Sequence, residues 1–226
     1  MKYMPLTSIN RRTYLVCVCV ATLALSACSL LQPKSSTPPS YYALEAARPN
    51  TPLIVRSPPL AKAPTLIISP VRAASGFDSQ RIIYVREPHK LEYFSHSEWI
   101  DAPARMLGPL MVAAIEQTGA FRAVVMTPGS AGGELRLDSE IVRLQQDFQS
   151  KPSAVQFTLR VYLVEEKTRK VLAWHSFDNR TTANSDDPRG GVIAANHAVE
   201  AVLSELAEFL VQRPQYSPDT KKVQDP

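Results

Sequence analysis

Between Val155 and Leu163 every second residue is apolar: Val155, Phe157, Leu159, Val161 and Leu163 alternate with Gln156, Thr158 and Arg160. Side chains on a strand point to its two faces in turn, so this run has one face for a core and one for water. Such a strand cannot stand alone. It needs paired neighbours along its edges and a second layer over its apolar face, and the rest of the chain offers both.

Leu135, Leu137, Ser139 and Ile141 share one parity, after which Val142 and Leu144 take the other. A change of phase inside a strand predicts a β-bulge near Ile141. Lys167 to Lys170 is a charged turn, so Val171 to Phe177 is expected to return as hairpin partner of the alternating strand. Arg81 to Arg86 and Leu91 to His96 flank the polar turn Glu87-Pro88-His89-Lys90 and predict a second hairpin. Thr65 to Val71 is β-branched enough for a strand, with Pro70 at an edge or bulge. Ser40 to Leu44 and Phe121 to Met126 read as short strands, the second followed by turns at Pro128-Gly129-Ser130 and Gly132-Gly133.

Two segments change period from two to 3.6. Pro103 opens a helix to about Thr118, with Leu107, Leu110, Met111, Ala114 and Ile115 on one face and Gly119 as its stop. After a polar loop from Asn184 to Gly191, a second helix from about Val192 to Val211 buries Val199, Val202, Leu203, Leu206, Phe209 and Leu210, with Glu200, Ser204 and Glu208 opposite. The expected fold is α+β: a curved, mostly antiparallel sheet with two amphipathic helices packed on one face.

The start of the chain follows a different pattern. Lys2, Arg11 and Arg12 precede an apolar run from Tyr14 to Leu25, which leads through Ser26 and Ala27 to Cys28. As a helix the run spans roughly 18 to 23 Å, short of the roughly 30 Å of bilayer hydrocarbon, so it reads as a cleaved leader rather than a span. Leu25 to Cys28 resembles a lipobox, in which signal peptidase cuts before a cysteine whose thiol carries a diacyl group. That resemblance implies lipidation of Cys28 with fatty acids such as palmitate, and two or more chains anchor stably where one does not. Ser29 resembles the sorting residue of outer-membrane lipoproteins rather than the aspartate that retains a lipoprotein at the inner membrane. Arg11-Arg12 loosely resembles a twin-arginine signal, but paired arginines are common in basic leaders.

The expected organisation is a signal peptide at 1–27, a lipid tether at 28–39, a folded domain at 40–212 and a disordered tail at 213–226. The tether is polar and proline-rich and reaches roughly 30 Å when extended. Pro49, Pro52, Pro58, Pro59 and Pro64 make the stretch from Arg48 to Pro64 a long irregular connection.

Cleavage before Cys28 leaves about 199 residues and removes Lys2, Arg11 and Arg12, so that 22 basic residues face 21 acids and the net charge falls from +4 to +1. The basicity belongs to the leader, and the remaining balance gives no basic face for nucleic acid. Cys17 and Cys19 lie in the leader and Cys28 is the acylation site, which leaves no thiol for a disulfide or a cysteine metal site.

Catalytic constellations are not found. His89, His96, His175 and His197 fall in a turn, two strands and a helix, with no pair at metal-binding spacing. Glu165-Glu166 and Asp186-Asp187 are adjacent carboxylates beside turns and read as solvated charge. No serine sits in a Gly-x-Ser-x-Gly elbow, and Gly132-Gly133 lacks the lysine and spacing of a phosphate loop. The sequence therefore predicts no enzyme, no cofactor and no metal. Tyr84, Tyr93, Phe94 and Trp99 are candidates for a surface that binds a partner or lipid, since aromatic side chains with a polar tip suit such sites; Trp99 equally suits the core beneath the first helix.

The run from Arg81 to Leu107, with Trp99, Pro103, Gly119 and Phe121, resembles the signature of the ABC-type transport auxiliary lipoproteins. Tyr41 to Leu44, the strand from Leu135 to Phe148 ending in Gln-Asp-Phe, the hairpin around Lys167 and a final helix with Asn196, Ala198 and Leu206 fit the same family. The resemblance covers about Tyr41 to Val211. It implies a lipid-anchored protein facing the periplasm from the outer membrane, accessory to a mammalian-cell-entry (MCE) type lipid transporter, where it docks the conduit. The implied partners are an MCE-domain protein and an inner-membrane permease, with phospholipid as a further ligand and a homo-oligomeric ring to match a ring-shaped conduit. A scaffold that never touches lipid is the alternative, and an exposed apolar groove lined by the hairpin and first helix would favour transport.

Overall fold

The computed structural model describes Arg12, Leu15 and residues 38–45, 63–129 and 132–212. The chain divides into two units, Met1–Pro38 and Pro39–Pro226, and the elements below all belong to the second. Apart from Arg12 and Leu15, the expected signal peptide lies outside the described residues, as do Cys28, Ser29 and the expected tail from 213.

Strand β7 (Leu135–Asp147) is the axis of a nine-stranded, open sheet. Its ladder with β8 (Ala154–Glu165) slips between Ile141 and Arg143, where the sequence changes phase, so that Leu137, Ile141 and Leu144 all stay buried. β9 (Val171–Thr182) continues antiparallel on the far side of β8. On the other side of β7, one stretch of chain runs beside it in three short parallel pieces, β2 (Thr65–Ile68), β3 (Arg72–Ala73) and β4 (Arg81–Val85). β5 (Glu92–Trp99) and β1 (Ser40–Tyr42) extend the sheet beyond β4, and β6 (Ala123–Met126) extends it beyond β2. The long ladders are antiparallel and the parallel ones short. β1, β6 and β9 form the outer edges, and the two-residue β3 pairs with β7 alone.

Helices α1 (Pro103–Glu116) and α2 (Pro188–Val211) cover the apolar face. Phe157, Leu159 and Val161 of β8 form one cluster with Leu107, Met111 and Ile115 of α1 and Val199, Val202 and Leu206 of α2, all almost fully buried. Burial of each such side chain contributes roughly 1.5–3 kcal/mol. α1 ends where expected: Thr118 bonds back to Ile115, and Gly119 adopts a left-handed φ of 65° that a side chain would oppose.

Three details depart from the sequence reading. α2 starts at Pro188, ahead of the expected start near Val192, because Asp187 accepts a bond from the Gly190 N–H at 2.7 Å and caps the helix. Gly190-Gly191 is thus its first turn rather than a loop. A Cβ on Gly191 would lie 2.1 Å from Gln146 Oε1, so the glycine lets the helix approach the sheet. Thr158, expected on the solvated face, is buried, because Arg143 and Asp178 lie directly opposite it on the two neighbouring strands.

Candidate interaction surface

β4 and β5 form the expected hairpin. The Lys90 N–H donates to Glu87 O at 3.3 Å to close its turn. Arg86 donates to Glu92 from Nε at 2.9 Å and Nη2 at 2.5 Å, and this pairing holds the Glu92 carboxyl below its ordinary pKa range. With Lys90 also 3.3 Å from Glu87, the tip is a mixed-charge surface beside the exposed Leu91.

The structure separates the four candidate aromatics. Arg81 pairs with Glu98 while Ile83 pairs with Tyr93, so β5 carries a surplus of residues around Ser95-His96-Ser97. An odd surplus exchanges the faces on either side of it. Tyr93 is therefore 50% exposed, whereas Trp99, of the same parity, is 3% exposed and belongs to the core. Trp99 leaves the candidate surface. Phe94 turns toward the core edge and is half-buried, with its ring 4.5 Å from that of Tyr84. Phe148, read from sequence only as the end of a strand, completes a trio at 5.6 Å from Tyr84 and 6.4 Å from Phe94. The residue available to a partner is Tyr93, and the Arg81 guanidinium lies 4.1 Å from its ring centroid in a cation–π contact.

A second feature lies away from the hairpin. The chain leaving β1 (Tyr41 to Glu45), Leu110 of α1, and Val192, Asn196, His197 and Glu200 of α2 line an open cleft of about 990 Å³. Tyr42, Leu44, Leu110 and Val192 give it apolar walls, and Glu45, His197 and Glu200 a polar rim. This cleft lies between the first strand and the two helices, and no hairpin residue lines it. Asn196 holds this arrangement. Its Nδ2 donates to Ala43 O at 3.2 Å and to Val192 O at 3.0 Å, while its Oδ1 accepts from the Glu45 N–H at 2.7 Å. The side-chain amide thus stands in for a neighbouring strand. Among the described residues no group of three or more His, Cys, Asp or Glu is placed to hold a metal, and no helix is long and apolar enough to cross a membrane.

The model of ABC-type transport auxiliary lipoprotein components matches residues 42–207, from the first strand through most of α2. The chain belongs to that family. Its members are auxiliary parts of transport systems and lipoproteins, which makes this a membrane-anchored envelope protein associated with ABC-type transport. Among solved structures, protein XCC0632 from Xanthomonas campestris is 22% identical, with a TM-score of 0.63 over 76% of this chain and 95% of its own. An uncharacterized protein is 14% identical, with a TM-score of 0.58 over 77% of this chain and 99% of its own. Both share the fold. No match was found among curated proteins.

Proposed function

We propose that this auxiliary lipoprotein is the outer-membrane end of an MCE-type lipid transport system, anchored through acyl chains on Cys28 and facing the periplasm. It binds the conduit built by an MCE-domain protein, which an inner-membrane permease joins at the other end, and it performs no chemistry of its own. The observation that carries this reading is the family match, which spans nearly the whole folded body. The charged hairpin tip with Tyr93 supplies a polar, aromatic-anchored contact of the kind that dominates interfaces. The cleft beside Asn196, apolar within and polar at its rim, suits an amphiphile such as a phospholipid.

The test is co-purification of the MCE protein with the full-length lipoprotein from detergent-solubilised envelopes. Wild type should retain the MCE protein, and Tyr93→Ala should retain markedly less at an unchanged melting temperature. Failure of wild type to retain it, under conditions where the permease and MCE protein stay together, would overturn the reading.

A further inference from the structure

We propose that two copies of this protein join edge to edge through β9, which extends the sheet across a two-fold axis near Phe177. The inference is independent of the transport reading.

β9 pairs with β8 on one side only; among the described residues no strand pairs with the other. Its twelve residues, VLAWHSFDNRTT, contain no proline and no lysine, the residues that commonly blunt a free edge. Two devices are present: the charges of Asp178 and Arg180, and a bulge at Leu172, an extra residue since Val171 faces Val164 and Ala173 faces Leu163. From Ala173 to Thr182 the ladder is unbroken, so a long regular edge remains. On it Trp174 is 62% exposed, with Val171 and Leu172 also exposed beside it. A large aromatic left in water on an unpaired edge is costly for a monomer and useful for an interface.

The sequence of the edge selects its occupant. A two-fold axis normal to the sheet keeps both cores on one side, so residues directly opposite each other must share a face. Centring on Asp178 would set two carboxylates against each other, and centring on Ser176 would set Asp178 against the face of Trp174. Centring on Phe177 pairs the strand from Leu172 to Thr182, with no like charges opposed. Trp174 then lies opposite Arg180 of the second copy, twice by symmetry, and Ser176 opposite Asp178. Arg180 is fixed in place: its Nη1 is 2.9 Å from Asp147 Oδ2 and its Nη2 is 2.8 Å from Ser150 Oγ, which draws the guanidinium back over β8 and leaves the aliphatic stem at the edge for an indole to pack on.

The experiment uses the full chain in cell envelopes, with a benzophenone amino acid at position 174. Irradiation should give a covalent dimer of this chain, with the cross-link mapped by mass spectrometry to residues around Arg180. In parallel, light scattering of the detergent-solubilised chain should show that Trp174→Glu weakens self-association by more than about tenfold, at an unchanged melting temperature. Cross-links only to another protein, a dimer linked elsewhere, or self-association unaffected by Trp174→Glu would each overturn the proposal.

Discussion

Tyr93 and Trp99 sit six positions apart on β5, yet truncation should affect them in opposite ways. Trp99 is enclosed by Ile82, Leu144, Val155 and Ala195, so Trp99→Ala leaves a cavity and should cost about 3–5 kcal/mol in urea unfolding. Tyr93→Ala removes a half-exposed ring and should change stability by no more than about 0.5 kcal/mol. A large loss at Tyr93 would place it in the core. Acid exposes a different set of residues. Asp187 is held below the ordinary carboxyl range, chiefly by the Gly190 N–H, and Asp186 likewise by the Ser153 N–H at 2.8 Å. A carboxyl whose folded pKa is depressed stabilises fully above its unfolded value of about 3.9 and loses that contribution as pH falls through the folded value. The start of α2 should therefore loosen below about pH 4 while remaining unchanged from pH 5 to 8. Hydrogen exchange of the Gly190 amide against pH checks this, and Asp187→Ala should abolish the pH step and cost about 1 kcal/mol.

At the scale of elements, what the sequence revealed follows from how local each signal is. The two hairpins, the face of α1 and the phase change at Ile141 were legible because parity and turn chemistry are properties of a few adjacent residues. The run of β2, β3 and β4 beside β7 was not. Parallel pairing joins segments distant in sequence, and pieces as short as Arg72–Ala73 leave no period of their own. Gly190-Gly191 misled for a related reason, since a glycine pair looks like a turn when its actual use is close approach of α2 to Gln146. Gly191→Ala should accordingly displace a buried amide that donates to Ser153 Oγ at 2.9 Å, at a cost of about 1–3 kcal/mol. The surface was legible in part. Tyr93 is exposed as its candidacy requires, but the face exchange that buries Trp99 depends on a three-dimensional register, and only polar Ser95-His96-Ser97 hinted at it. Asn196 was visible as part of a family pattern, whereas its grip on the chain after β1 required the fold. Asn196→Ala should free Glu45 and Ala43, so amide exchange should accelerate there and leave β7 and β8 protected.

At the scale of the molecule, the anchor and the body should be separable. The core cluster begins at Leu44 and ends at Leu210, so every buried contact described lies within residues 39–212. A chain of those residues should fold without lipid, and because it contains no cysteine its stability should not respond to reductant. The two tryptophans provide a direct check, since Trp99 is buried on the side of the sheet that Ala195 of α2 covers, while Trp174 lies on the open edge of β9. With Trp174→Phe in place, Trp99 fluorescence reports the junction of sheet and helices alone, and far-UV circular dichroism reports the secondary structure as a whole. The single core shared by both helices and the long ladders predicts one transition, at the same urea concentration by both probes. If Trp99 were released before the circular dichroism changed, the junction of β5 with α2 would be a separate cooperative unit. The body would then need its membrane or its partner to hold that junction in place.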